Sequence, residues 1–127
     1  MTDPYVLVAD DDADLRELIR LTLEDAGMQV GEASNGREAL ALVKARRPNV
    51  VLLDLMMPLM DGWAFCRALH GHDNAPPIVV MTAAETPADV AEKLSAAAWL
   101  MKPFDLDTLV SSVRRYADGE ASPGSGL

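Results

Sequence analysis

Residues 50–62 read Val50-Val51-Leu52-Leu53-Asp54-Leu55-Met56-Met57-Pro58-Leu59-Met60-Asp61-Gly62. The four leading residues are apolar without alternation, which marks a strand buried on both faces, and Asp54 stands at its end. Pro58 and the Asp61-Gly62 pair then break the chain and open a helix on which Trp63, Phe65, Cys66 and Leu69 recur. Upstream, residues 5–9 form another apolar run ending in Asp10, Asp11 and Asp12. Leu15, Leu18, Ile19 and Ala26 follow at helical spacing, and Gly27 closes the pattern. Residues 28–33 make a further short strand. Asn35, with Glu38 three residues on, starts a helix through Leu40 and Val43 that stops before Pro48.

Downstream, Pro76 and Pro77 introduce a strand over residues 78–82. Thr86 with Pro87 behind it starts a helix expected to reach about Ala96, since proline at the first helical position forfeits no available hydrogen bond. Residues 98–101 read as a fifth, weaker strand ended by Lys102-Pro103. Asp105 caps a last helix with Leu106, Leu109, Val110 and Val113 on one face. Five strands and five helices alternate. Strands apolar on both faces and joined by helices predict an α/β fold, a doubly wound parallel sheet covered on both sides through right-handed crossovers.

At 127 residues, half of them apolar, the chain has material for one core. The expected division is a domain over residues 1–117 and a Gly, Ser and Pro punctuated flexible tail or linker stub over residues 118–127. No apolar stretch approaches the roughly 20 residues that span a bilayer, and Asp3 and Pro4 stand where a secretory signal has a basic flank, so a cytoplasmic location away from membranes is expected. Cys66 is the only cysteine and leaves no thiol cluster for a metal. A net charge of −9 argues against direct nucleic-acid binding by this domain, which depends on Lys and Arg neutralising phosphates.

In doubly wound sheets the ligand site lies beyond the carboxyl ends of the strands. Asp10 and Asp11 follow the first strand, Asp54 ends the third, Thr82 the fourth and Lys102 the fifth, so all fall on one edge. If the first and third strands are neighbours, three carboxylates converge, and each pair at ~5 Å repels by roughly 3 kcal/mol at an effective dielectric near 20. A cation is required. An oxygen-only set without His or Cys selects a hard ion, Mg2+ first. Lys102 as a fixed charge and Thr82 as a hydroxyl donor suit the oxygens of a transferring phosphoryl group, with Asp54 as the carboxylate nucleophile. Asp12 reads as a helix cap, His70 and His72 as solvated loop residues, and Met56, Met57 and Met60 as adaptable packing around the loop.

Together these motifs resemble the bacterial response-regulator receiver domain over about residues 5–117. Ala9-Asp10-Asp11-Asp12 is similar to the family's acidic turn, the run from Asp54 to Gly62 to its phosphoacceptor loop, and Thr82-Ala83 and Lys102-Pro103-Phe104 to its remaining signatures. The resemblance implies a flavodoxin-like sheet of strand order 2-1-3-4-5. It implies Mg2+ held by Asp11, Asp54 and the backbone carbonyl of Met56, with Asp10 acting through water. Asp54 would take a phosphoryl group from a histidine kinase or phosphotransfer protein, Lys102 and Thr82 would contact it, and the Lys102-Pro103 bond would be cis. Such a domain is a switch rather than a conventional enzyme and promotes its own phosphorylation and dephosphorylation. Thr82 and the aromatic Trp99 would move together, changing partner binding or homodimerisation through the face of the fourth helix, fifth strand and fifth helix. For Trp99 a plain packing role stands equal to the switch role.

Two other readings compete. A phosphohydrolase of the haloacid dehalogenase type also uses a strand-end aspartate and Mg2+, but wants a second Asp where this chain has Met56. An interaction domain that keeps the acidic residues without phosphate signalling is suggested by the short stretch between Thr82 and Lys102, with Ala96-Ala97-Ala98 in place of a Gly and acidic turn.

Overall fold

The computed structural model describes residues 3–72 and 74–118. Its elements alternate as β1 (Tyr5–Ala9), α1 (Ala13–Asp25), β2 (Gln29–Ala33), α2 (Gly36–Ala45), β3 (Val50–Asp54), α3 (Gly62–Leu69), β4 (Ile78–Thr82), α4 (Pro87–Leu94), β5 (Ala98–Met101) and α5 (Leu106–Ala117). All strand pairs are parallel, in the order β2-β1-β3-β4-β5. The flavodoxin-like class and strand order expected from the resemblance are therefore those of the molecule. Apart from Asp118, which follows α5, the expected tail lies outside the described residues.

The period of two along each strand divides the core. Val6, Val8, Leu52 and Met81 face α1 and α5, packing with Ile19, Leu23, Leu109 and Val113. Leu7, Ala9, Leu53 and Val80 face the other helices, packing with Ala39, Phe65, Cys66 and Leu69. The three inner strands are buried throughout, whereas β2 and β5 mix buried and exposed positions as sheet edges do. On β2, Gln29 accepts a hydrogen bond from Arg46 (3.0 Å), and Glu32 pairs with Arg16 and Arg20 (3.0 Å each). Trp99 and Met101 of β5 are exposed.

Four helices begin with the acid or amide expected of them. Asp12 accepts from the N–H groups of Asp14 and Leu15, Asn35 from Glu38, Asp61 from Ala64 and Asp105 from Thr108. Glu38 closes a variant of the expected box, since its carboxylate accepts from the N–H and hydroxyl of Ser34, not from the N–H of Asn35. The helix starting at Pro87 stops at Leu94 instead of reaching Ala96. Ser95 turns left-handed (φ 56°), and the Ala96 N–H bonds back to the Ala91 carbonyl (2.9 Å). Ala97 at once donates to Ile78 (2.8 Å), so the short connection ends its helix and enters the sheet within a few residues. No helix among the described residues is long and apolar enough to cross a membrane.

Candidate functional site

Parallel strands bring their carboxyl ends to one edge, and the β1–β3 pairing sets Asp10 and Asp11 beside Asp54. The Asp10 N–H donates to the Ala33 carbonyl (3.0 Å), which continues the β1–β2 ladder by one residue and turns the Asp10 side chain into the protein. Asp10 is fully buried, Asp54 is 6% exposed and Asp11 faces solvent. One carboxylate oxygen from each of the three lies within 4.8 Å of the others.

Lys102 enters this group from β5, its N–H held by the Thr82 carbonyl at 2.7 Å. Its Nζ donates to Asp10 Oδ2 at 3.0 Å and lies 3.4 Å from Asp54 Oδ1. Burial raises the Asp54 carboxyl above its ordinary range, and the Asp10 charge adds to this against the opposing pull of Lys102 and the Met56 N–H. Burial alone would lower the Lys102 ammonium, but its hydrogen bond to Asp10 and the charges of Asp10 and Asp54 outweigh it and hold it above the usual value. The buried Thr82 hydroxyl accepts from the Ala84 N–H (3.0 Å), which leaves its own O–H proton to donate. The Lys102-Pro103 bond is cis.

All five expected polar residues, Asp10, Asp11, Asp54, Thr82 and Lys102, thus gather at one sheet edge. Trp99 does not join them and stands 45% exposed on β5. Among the methionines, Met57 is buried as packing, but Met56 is 79% exposed, so the expectation that this run packs around the loop fails at that position. His70 and His72 are exposed, and burial pushes the Cys66 thiol up to about 11 despite Arg67 nearby.

Two supports escaped the sequence reading. Arg16 Nη1 donates to the Asp10 carbonyl (2.7 Å) while its Nε pairs with Glu32, so one side chain fixes the acidic turn against β2. Gly36 N–H donates to the Met60 carbonyl (2.7 Å), and a Cβ there would stand 2.6 Å from that oxygen, so only glycine lets α2 approach the Asp54 loop this closely. Arg16 falls one helical turn after the acidic triplet, a spacing that offers a faint signal, whereas the Gly36 contact is long-range and has none.

The family model of the response regulator receiver domain matches residues 6–114. The chain belongs to that family. As a receiver domain it is similar to the response regulator MprA of Mycolicibacterium vanbaalenii, at 41% identity over 111 residues, which is 86% of this chain and 48% of that protein. The DNA-binding response regulator MtrA of Mycobacterium tuberculosis matches with the same identity and coverage. The chain spans about half the length of these relatives. Among solved structures, the chemotaxis response regulator CheY4 of Vibrio cholerae superposes with a TM-score of 0.83 at 34% identity, over 91% of this chain and 99% of the other. The receiver domain of the Francisella response regulator 1452 does so with a TM-score of 0.86 at 30% identity, over 94% and 100%. Receiver domains are modules of two-component, phosphorylation-dependent signalling, and the acidic pocket for it is present in this one.

Proposed function

We propose that Asp54 is the phosphoacceptor of a Mg2+-dependent switch charged by a histidine kinase or histidine phosphotransfer protein. The observation that carries this reading is the convergence of three carboxylates within 4.8 Å beside Lys102. At that separation each pair of charges repels by roughly 3.5 kcal/mol at an effective dielectric near 20, and three carboxylates against one lysine leave a net negative charge for a cation to neutralise. The oxygen-only donors fit Mg2+, with Asp11, Asp54 and the Met56 carbonyl as direct ligands and Asp10 through water. When bound, the ion supplies positive charge to the carboxylates and to phosphoryl oxygens.

In the reaction an Asp54 oxygen forms a bond to phosphorus as the bond from phosphorus to the donor imidazole nitrogen breaks, and that nitrogen leaves with the electron pair. Lys102 takes up charge on the phosphoryl oxygens, and Thr82 turns its hydroxyl proton toward them. The added charge of about −2 alters the face of α4, β5 and α5, with Trp99 following Thr82 or serving there as a contact, and with it the preference for partners or a second copy. Water attack on the same phosphorus breaks its bond to the Asp54 oxygen, releases inorganic phosphate and restores the carboxylate, so the domain promotes both its own phosphorylation and its own dephosphorylation. The switch occupies residues 1–117, works in the cytoplasm and, at a net charge of −9, does not itself bind nucleic acid.

Intact-mass spectrometry after incubation with acetyl phosphate tests this. One phosphoryl group should appear with Mg2+, vanish with chelator and be absent from Asp54→Asn. A native chain that neither labels nor binds Mg2+ would move the reading to a phosphate-independent interaction domain.

A further inference from the structure

Between β3 and α3 the chain is pinned at both ends. Gly62 N–H donates to Leu55 (3.1 Å), the Met60 carbonyl accepts from Gly36, and Met57 is buried. Between these pins Leu59 adopts φ +65°, the left-handed region that costs a residue with a Cβ roughly 1–2 kcal/mol and that Gly or Asn enters readily. Its side chain is 76% exposed, so no burial within this domain offsets the strain. Met56 is exposed as well, which sets two large apolar side chains in water on the loop that carries Asp54. The neighbouring loops present exposed acids instead, Asp11 and Asp12 after β1 and Glu85 after β4.

We infer that Leu59, with Met56, is a docking ridge for the histidine-bearing face of the phosphodonor protein. This rests on the proposed role of Asp54 and names what recognises the donor there. Asp54 is recessed, so a phosphohistidine can reach it at a reacting distance of roughly 3–3.5 Å only if the surface bearing that histidine settles on the surrounding loops. The fitting partner has an apolar recess beside its histidine to take Leu59. Basic residues flank that recess, facing the exposed acids of a chain with net charge −9. A small donor such as acetyl phosphate needs neither feature, which separates docking from chemistry.

The test compares two donors on Leu59→Gly and Leu59→Asn, both compatible with the left-handed backbone. One donor is acetyl phosphate. The other is whichever member of a panel of phosphorylated histidine-kinase cores and phosphotransfer domains charges the native chain fastest. Both variants should keep the native acetyl phosphate rate within about twofold and melt no lower than the native chain. Transfer from the protein donor should fall on the order of tenfold in kcat/KM, mainly through KM. Unchanged transfer from the protein donor overturns the inference. So does an equal loss with both donors, or a native chain charged by acetyl phosphate but by no protein of the panel. A native chain that acetyl phosphate and Mg2+ cannot label refutes instead the assignment of Asp54.

Discussion

Replacing Asp54 with Asn should make the metal-free protein more stable even though it abolishes the proposed chemistry. Asp54 lies within 4.8 Å of carboxylate oxygens of Asp10 and Asp11, and at an effective dielectric near 20 each repulsion is roughly 3.5 kcal/mol. Its attraction to Lys102 at 3.4 Å is roughly 5 kcal/mol on the same scale. The balance opposes the ionised carboxyl by about 2 kcal/mol. Burial adds to this and the solvent exposure of Asp11 subtracts, so a gain of about 1–3 kcal/mol is expected for the isosteric amide. For a domain of this size that corresponds to a melting temperature higher by roughly 3–15 °C.

The pH dependence has a definite sign. The folded-state pKa of Asp54 is raised, so above the ordinary carboxyl range the fold binds more protons at this site than the unfolded chain does. Native stability from this group therefore declines as pH rises through that window, and the advantage of Asp54→Asn grows from acid toward neutral pH before levelling off. Urea denaturation followed by circular dichroism, in chelator and in saturating Mg2+, measures both effects. Mg2+ should narrow or reverse the gap by stabilising the native chain more. An Asp54→Asn protein no more stable than native in chelator at neutral pH would refute the electrostatic account.

Lys102→Met should cost about 3–5 kcal/mol in chelator by leaving the buried Asp10 charge without its cation, and urea titrations should show part of the loss restored by Mg2+. Gly36→Ala forces a Cβ against the Met60 carbonyl and side chain, which should cost about 1–3 kcal/mol and weaken Mg2+ binding through displacement of the Asp54 loop, measurable by calorimetric titration. Cys66, with its pKa pushed up to about 11, keeps its proton in the fold where the unfolded chain loses it. Stability should therefore fall as pH rises from about 9 toward 11, and Cys66→Ala should flatten that part of the urea-midpoint profile.

Much of this architecture is legible locally. Apolar runs of strand length, four capping side chains and the acids at strand ends each depend on neighbours within a few residues, and they stand where the pattern sets them. Strand order does not follow from alternation and came through family resemblance, because pairing is decided by contacts between distant segments. The end of α4 was misread because Ser95 takes the left-handed position usually signalled by Gly or Asn. Leu59 was opaque for the same reason. That Asp10, Asp11, Asp54, Thr82 and Lys102 share one edge was foreseeable from a parallel sheet alone, whereas their convergence depends on β1 and β3 being neighbours. The props beneath it, Arg16 on the Asp10 carbonyl and Gly36 under Met60, exist only once separate elements meet.

The two borders of the sheet also differ in what they allow at high concentration. Along β2, arginines hold Gln29 and Glu32 and set charge along the strand, which resists adhesion to another chain. Along β5, Trp99 and Met101 offer apolar surface. A particle sticky on one border only cannot extend into a fibre by repeating that contact. Two copies meeting β5 to β5 would exhaust each other's adhesive side, so association through that border would close at a pair.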